Sequence, residues 1–375
     1  MDFAFNEEQQ NLAETVGNVL ADYPALAGPD LDRAADGDAW DALAALGLFS
    51  LLVPEADGGV GLTLVDCALA IEALGAGLAP PVVASTLLVT EVIARFGSSE
   101  QRARWLGPLA AGEVRAAIAV AESGAEDPTR CATQMRSGAL SGTKIAVAGA
   151  ADADLFLVTA QDRGRPLLVL VERSAAGVTV RHHESLDPSA GLAAVGFVAV
   201  PLEAPSLLGA DRGEAVLETL LDLASTVHAG LAIGIAGRMH DVAVEYAKTR
   251  EQFGQVIGAF QSIKHRCADT AVAVEAGRAT AYYAFWSCSE GMDDRSRSAS
   301  SAKAYCTEIA RDASNDAIQI HGGMGFTWEL GLHRFLRRAK ILEHAIGTPS
   351  WHYARVLAAA LAMRDEAGTA SRAAA

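Results

Sequence analysis

The runs AAIAVAE (116–122), LFLVTA (155–160), PLLVLVE (166–172), VTV (178–180) and AAVGFVAVP (193–201) decide how this chain folds. Each is short and β-prone, and the runs are separated by Gly, Pro, Asp and Arg, as strands joined by turns are. On either side the period of the apolar residues lengthens to that of a helix. Asn6 and Gln9 make an N-cap pattern, after which Phe5, Leu12, Val16 and Leu20 share one helical face. Trp40, Leu43 and Leu46 continue the periodicity, Gly47 can end that helix, and the turn-rich LLVPEADGGVG (51–61) marks a loop. Helices are expected at about 64–74 and 86–95. Beyond Pro201 the stretches 214–249, 259–290, 297–321 and 349–363 suffice for a four-helix bundle. The expected fold class is α+β, mostly α. It divides into an N-terminal helical domain (1–113), a central β-barrel or sandwich (114–208) and a C-terminal helical bundle (209–375). There is no internal repeat, and the tail after about Arg364 reads as a frayed, low-complexity end.

Composition narrows the function. A chain of 375 residues, 51% hydrophobic and 20% charged, holds two or three packed domains. A net charge of -16 disfavours nucleic acid and anionic membrane surfaces as partners. Anionic ligands then need local pockets, for which Lys264-His265-Arg266 and Arg337-Arg338 are the candidates, although such runs also occur as solvated faces. Five cysteines, none spaced as CxxC, indicate neither a disulfide framework nor a metal site. No signal-like opening and no uninterrupted apolar run of about 18 residues are present, so a cytoplasmic protein without a membrane span is expected.

Four segments, MDFAFNEEQQNLAE (1–14), GLFSLLVPEADGGVG (47–61), REQFGQVIGAFQ (250–261) and QIHGGMGFTWE (319–329), together resemble the acyl-CoA dehydrogenase family over essentially the whole chain. The resemblance implies an FAD-dependent enzyme that dehydrogenates acyl-CoA thioesters. It also implies that the last two motifs serve the FAD of a neighbouring subunit. Physical chemistry gives these motifs a use. Arg250 is a fork-shaped donor for a pyrophosphate, Phe253 a flat surface for adenosine, and Gln261 a directional polar contact. Gly322 and Gly323 permit close backbone approach, with Gln319 one turn earlier. The competing reading is a buried Arg–carboxylate pair beside a glycine helix end.

The flavin-ring half departs from the family pattern. Near AVAESG (119–124) Glu122 survives, but Ala121 and Ser123 replace the usual Thr and Pro; near KIAVAG (144–149) Ala146 stands for a stacking Trp and Ala148 for a bonding Thr. Losing both contacts weakens a flavin site. The base is also missing. The family's glutamate precedes a Gly-Thr, and here Ile346 precedes Gly347; the alternative early position falls on Ala224 and Ser225. Glu343, Asp222 and His344 are the weak substitutes, while His182, His183 and Glu184 lie in a solvated loop.

This combination resembles the base-lacking subunit of actinobacterial heteromeric acyl-CoA dehydrogenases. It implies an α2β2 assembly in which this chain donates the adenosine-pyrophosphate contacts and a second, acyl-CoA dehydrogenase-like subunit brings the glutamate. Such members often act on bulky acyl-CoAs, including steroid side chains, and the family's usual acceptor is an electron-transferring flavoprotein. The rival readings are a self-sufficient homotetramer with a non-standard base, an oxidase or monooxygenase on the same fold, and a non-catalytic acyl-CoA-binding or scaffolding protein.

Overall fold

The computed structural model describes residues 5–23, 33–203, 206–209 and 212–373. The first four residues of the opening motif therefore lie outside the described residues. The N-terminal helices are α1 (Glu7–Ala21), α2 (Arg33–Ala45), α3 (Ala68–Ala76), α4 (Pro81–Phe96) and α5 (Ser99–Ala110). Asn6 caps α1 through a reciprocal pair of bonds with Gln9, and Val16 and Leu20 are buried on its inner face. Two details differ from the sequence reading. The helix expected from Leu64 begins at Ala68 because residues 64–67 form turns, and α5 went unread. That helix carries Pro108, a residue that argues against a helix interior, yet a Ser98–Gln101 capping box fixes its start.

The centre is one eight-stranded mixed sheet with the path β6-β7-β3-β2-β4-β5-β8, and β1 pairing in parallel with β4. Its strands are β1 (Ala116–Ala119), β2 (Gln134–Arg136), β3 (Ala139–Val147), β4 (Leu155–Asp162), β5 (Arg165–Glu172), β6 (Val178–His182), β7 (Ala193–Pro201) and β8 (Leu207–Leu208). The five expected runs are all strands; β2 and β8, of three and two residues, are too short to show a period.

The C-terminal part is built on α6 (Gly213–Thr249), α7 (Gln261–Glu290), α8 (Arg295–His321), α9 (Leu332–His344) and α10 (Pro349–Ala373). Helix α6 is long and apolar enough to cross a bilayer, but 89% of its most apolar stretch is buried against α3, α7 and α8. Helix α9 is an addition to the four expected helices. Its inner face alternates Leu332, Phe335, Ala339 and Leu342 with buried Arg334, Arg338 and Glu343, and these charges disguise the apolar stripe. The tail expected to fray continues α10 to Ala373, as an alanine-rich segment of high helix propensity does.

Candidate functional site

Two places in the molecule collect the residues singled out by the sequence. The first is one end of the bundle. Helix α6 stops at Arg250, and a hairpin of β9 (Glu251–Gln252) and β10 (Gln255–Val256) follows. Phe253 and Gly254 form its two-residue turn with φ of 54° and 80°, the left-handed pair that such a tight hairpin demands. An aromatic residue in this region is uncommon, and it leaves the Phe253 ring 92% exposed. Tyr246, one turn before Arg250, stacks on His321 with ring centroids 4.0 Å apart. Arg266 near the start of α7 meets Asp316 of α8 at 2.6 Å. These contacts bring the REQFG and QIHGGMG segments to the same end of the bundle.

Arg250, Gln261, Gln319, Gly322 and Gly323 are all exposed there. No carboxylate partners the Arg250 guanidinium among the described residues, which removes the buried ion-pair alternative for it. Gly322 ends α8 at φ 59° and ψ -134°, a conformation that favours glycine. Gly323 is different. Its φ is not left-handed and an added Cβ would meet nothing within 4 Å, so the isolated chain has no need of glycine at that position.

The second place is a cleft of about 360 Å³ between the sheet, α4, α6 and α9. Ala121, Ala146, Ala148, Ala224, His344 and Ile346 all line it. Five positions from four separate segments, where the family pattern would put flavin contacts and bases, therefore face one space as four alanines and an isoleucine. Two of them sit in strained backbone. Ala146 has φ 50° in an irregular part of the β3–β7 pairing, and Ile346 has φ 58° just after α9. A β-branched residue in the left-handed region is a rare conformation, and such strain concentrates at functional sites.

The substitute bases are otherwise engaged. Asp222 is fully buried; Arg295 and Ser296 donate to its Oδ2 at 2.8 and 2.7 Å, and Arg355 lies 2.9 Å from Oδ1. Burial tends to raise the Glu343 carboxyl, but Lys340 and Arg311 outweigh it and hold the group below its usual range. Both cations contact Glu343 directly, and neither it nor Asp222 lines the cleft. His344 does, at the rim, with its side chain 65% exposed. His182 and Glu184 are exposed, as expected, but His182 ends β6 instead of lying in a loop, and His183 is half-buried.

Glu122 is a structural group here. Lys144 Nζ, Thr133 Oγ1 and Thr133 N donate to its Oε1 at 2.6, 2.6 and 3.0 Å, and Ala132 N donates to Oε2. Burial opposes ionisation, yet the bonds from Lys144, Thr133 and Ala132 prevail and lower its pKa to about 2. The Arg337-Arg338 run splits. Arg338 is buried, donating to Asp187, Ser189 and the Ala79 carbonyl, and so pins α9 to the β6–β7 loop instead of binding an anion. Arg337 lines the cleft with its guanidinium 5.1 Å from the Trp328 ring centre.

One cleft residue escaped sequence reading. His228 lies on α6 one turn after Ala224, hence on the same face. Burial and the nearby Lys303 charge push its pKa down to about 3, which keeps the ring neutral. Its signal was available: a lone titratable residue in the apolar run LASTVHAGLAIGIAG (223–237).

Comparison with known proteins agrees with these features. Sequence models of the acyl-CoA dehydrogenase N-terminal and C-terminal domains match residues 6–113 and 211–361. The acyl-CoA dehydrogenase IpdE2 of Mycolicibacterium smegmatis is 30% identical over 352 residues, 92% of this chain and 96% of that protein. The acyl-CoA dehydrogenase FadE34 of Mycobacterium tuberculosis is 33% identical over 320 residues; the match takes in 83% of this chain but spans only 40% of that longer protein. Among solved structures, the ChsE4–ChsE5 complex from Mycobacterium tuberculosis superposes with a TM-score of 0.86 at 26% identity, over 95% of this chain and 98% of that one. An FAD complex of PigA gives 0.84 at 28%, over 97% and 100%. The chain belongs to the acyl-CoA dehydrogenase family, whose members are flavin-dependent oxidoreductases.

Proposed function

We propose that this chain is the supporting subunit of a heteromeric acyl-CoA dehydrogenase. One observation carries the reading: among the described residues the cleft is lined by no carboxylate, whereas the bundle end presents an Arg250 without an ion-pair partner, an exposed aromatic ring and a glycine the isolated chain does not need. The two halves of FAD find different fits. Arg250 suits its pyrophosphate, Phe253 its adenosine, and the open space at Gly323 the close passage of the dinucleotide. A flavin ring in this chain's own cleft would face only the methyl groups of Ala146 and Ala148, which provide neither a stacking plane nor a hydrogen-bond donor.

Held by the bundle-end residues in the assembly, FAD would supply the hydride acceptor for the acyl β-carbon. A carboxylate of the second subunit takes the α-proton. This chain's Arg250, Phe253, Gln261, Gln319, Gly322 and Gly323 hold and orient the cofactor's adenosine end across the subunit boundary. The pairing of two differently named chains in the ChsE4–ChsE5 complex supports assembly with a second, unlike subunit, as α2β2 requires. So does the length of FadE34, which leaves room for a second unit of this size beside the matched segment. A cytoplasmic location and an electron-transferring flavoprotein as acceptor go with this reading.

The test is flavin content. Purified alone, the chain should carry little flavin absorbance, and co-expression with a second acyl-CoA dehydrogenase-like subunit that carries the glutamate should restore it. Stoichiometric flavin in a homogeneous preparation of the lone chain counts decisively against the supporting role.

A further inference from the structure

The ion pair of Glu122 and Lys144 has a third member, the Cys131 thiol. Cys67, Cys288 and Cys306 are buried, whereas Cys131 is half-buried and lines a cavity of about 260 Å³ between the β4–β5 hairpin and Leu217 of α6. Its Sγ lies 3.2 Å from Lys144 Nζ, and among the described residues no other cysteine sulfur is in hydrogen-bond contact with an amine. Lys144 is fully buried and donates to Glu122 Oε1 at 2.6 Å, Thr159 Oγ1 at 2.9 Å and the Val120 carbonyl at 3.1 Å. Those three acceptors already use the three hydrogens of an ammonium, so the sulfur is a partner the ion pair does not need. The thiol is held as well, between the Thr159 carbonyl at 3.1 Å and Glu122 Oε1 at 3.2 Å. Sulfur and nitrogen therefore face each other at the separation of atoms placed to react, and neither can turn away. The pair lies directly behind the cleft: Ala121 precedes Glu122, Ala146 follows Lys144 by two residues, and both alanines line the cleft wall.

We infer that Cys131 and Lys144 are a redox-modification site, at which hydrogen peroxide drives formation of a covalent sulfur–nitrogen link that thiols reverse. The Cys131 sulfur attacks one peroxide oxygen, the O–O bond breaks, and the products are a sulfenic acid and water. Glu122 takes one proton from the Lys144 ammonium, and the freed nitrogen attacks the oxidised sulfur. The S–O bond breaks, and the departing hydroxide takes a second nitrogen proton and leaves as water. Sulfur is oxidised and peroxide reduced in the first step, and the second is a condensation. Burial favours a neutral Glu122 once the ammonium is gone, so the linked state keeps no unpaired charge. Burial also holds the Cys131 thiol above its ordinary range, with Lys144 opposing, so little thiolate is present at neutral pH and the first step is slow.

Peptide mass spectrometry of the full-length chain, in whatever assembly it purifies, tests this after exposure to hydrogen peroxide and tryptic digestion without reductant. Arg136 lies between the two residues, so trypsin separates their peptides unless a bond joins them. The Cys131 and Lys144 peptides should appear joined, lighter than their sum by two hydrogens, and a thiol reductant should release both unmodified. Cys131→Ala should lose the joined species. The mapping is made on the wild-type chain, so it stands even if that variant fails to fold. Met324 is exposed, and its conversion to the sulfoxide shows that the peroxide dose sufficed. With Met324 oxidised, a Cys131 that remains a free thiol, is found only as an oxygen acid of sulfur, or is joined to another residue overturns the assignment.

Discussion

The bundle end and the cleft differ in what their polar groups do. At the bundle end, Arg250, Gln261 and Gln319 are exposed and available. Around the cleft, the polar residues have turned into the protein: Glu122 to Lys144, Glu343 to Arg311 and Lys340, Asp222 to Arg295 and Arg355. Charged residues around a cleft need not be reagents. Here the carboxylates satisfy buried or neighbouring cations and hold the fold, while Ala121, Ala146, Ala148, Ala224 and Ile346 face the empty space. A family glutamate close in sequence, such as Glu343, is therefore no guide to a base until its partners are known.

The contrast is sharpened most by Glu122→Gln. Lys144 is fully buried, and removing its carboxylate partner leaves a buried charge uncompensated, at a cost of about 3–5 kcal/mol. The same pair has a pH signature. Glu122 is lowered from an ordinary 4.5 to about 2 in the folded chain, so its contribution is complete above about pH 4.5 and disappears as pH falls toward 2. Urea unfolding at neutral and acid pH should show that window in the wild type and not in the variant. A variant as stable as wild type at pH 7 would overturn the structural role of Glu122.

Next in size is Arg250→Ala in the assembled enzyme. Losing a charge-assisted contact to pyrophosphate should weaken FAD binding by about 1.5–3 kcal/mol, with little change in folding because Arg250 has no described ion-pair partner. Flavin titration measures it. Unchanged affinity would make the bundle end as silent as the cleft, and the contrast between them would collapse.

The smallest effects belong to His344→Gln and Glu343→Gln. A working base contributes roughly 10²- to 10⁴-fold in rate. With the base in the partner, each variant should keep flavin reduction within a few-fold of wild type. A fall of several hundred-fold with FAD still bound would identify a local base and make this chain a complete enzyme.

Much of the fold was legible because its signals are local. The Asn6–Gln9 cap, the short strands between turns and the long apolar α6 depend on residues a few positions apart. Helix α9 was not legible in the same way. Its Arg338 and Glu343 look like surface residues until Asp187, Arg311 and Lys340 neutralise them, and two of those three partners lie far away in the chain. The sequence by itself determined the family motifs, the helix–sheet–helix order and the alanines at 121, 146, 148 and 224. Only the tertiary structure decided that these alanines and Ile346 face one cleft, and that Glu122, Asp222 and Glu343 are engaged in ion pairs. The reason is physical: whether a polar side chain is a reagent or a strut depends on which charges and walls surround it, and those come from segments that only folding brings together.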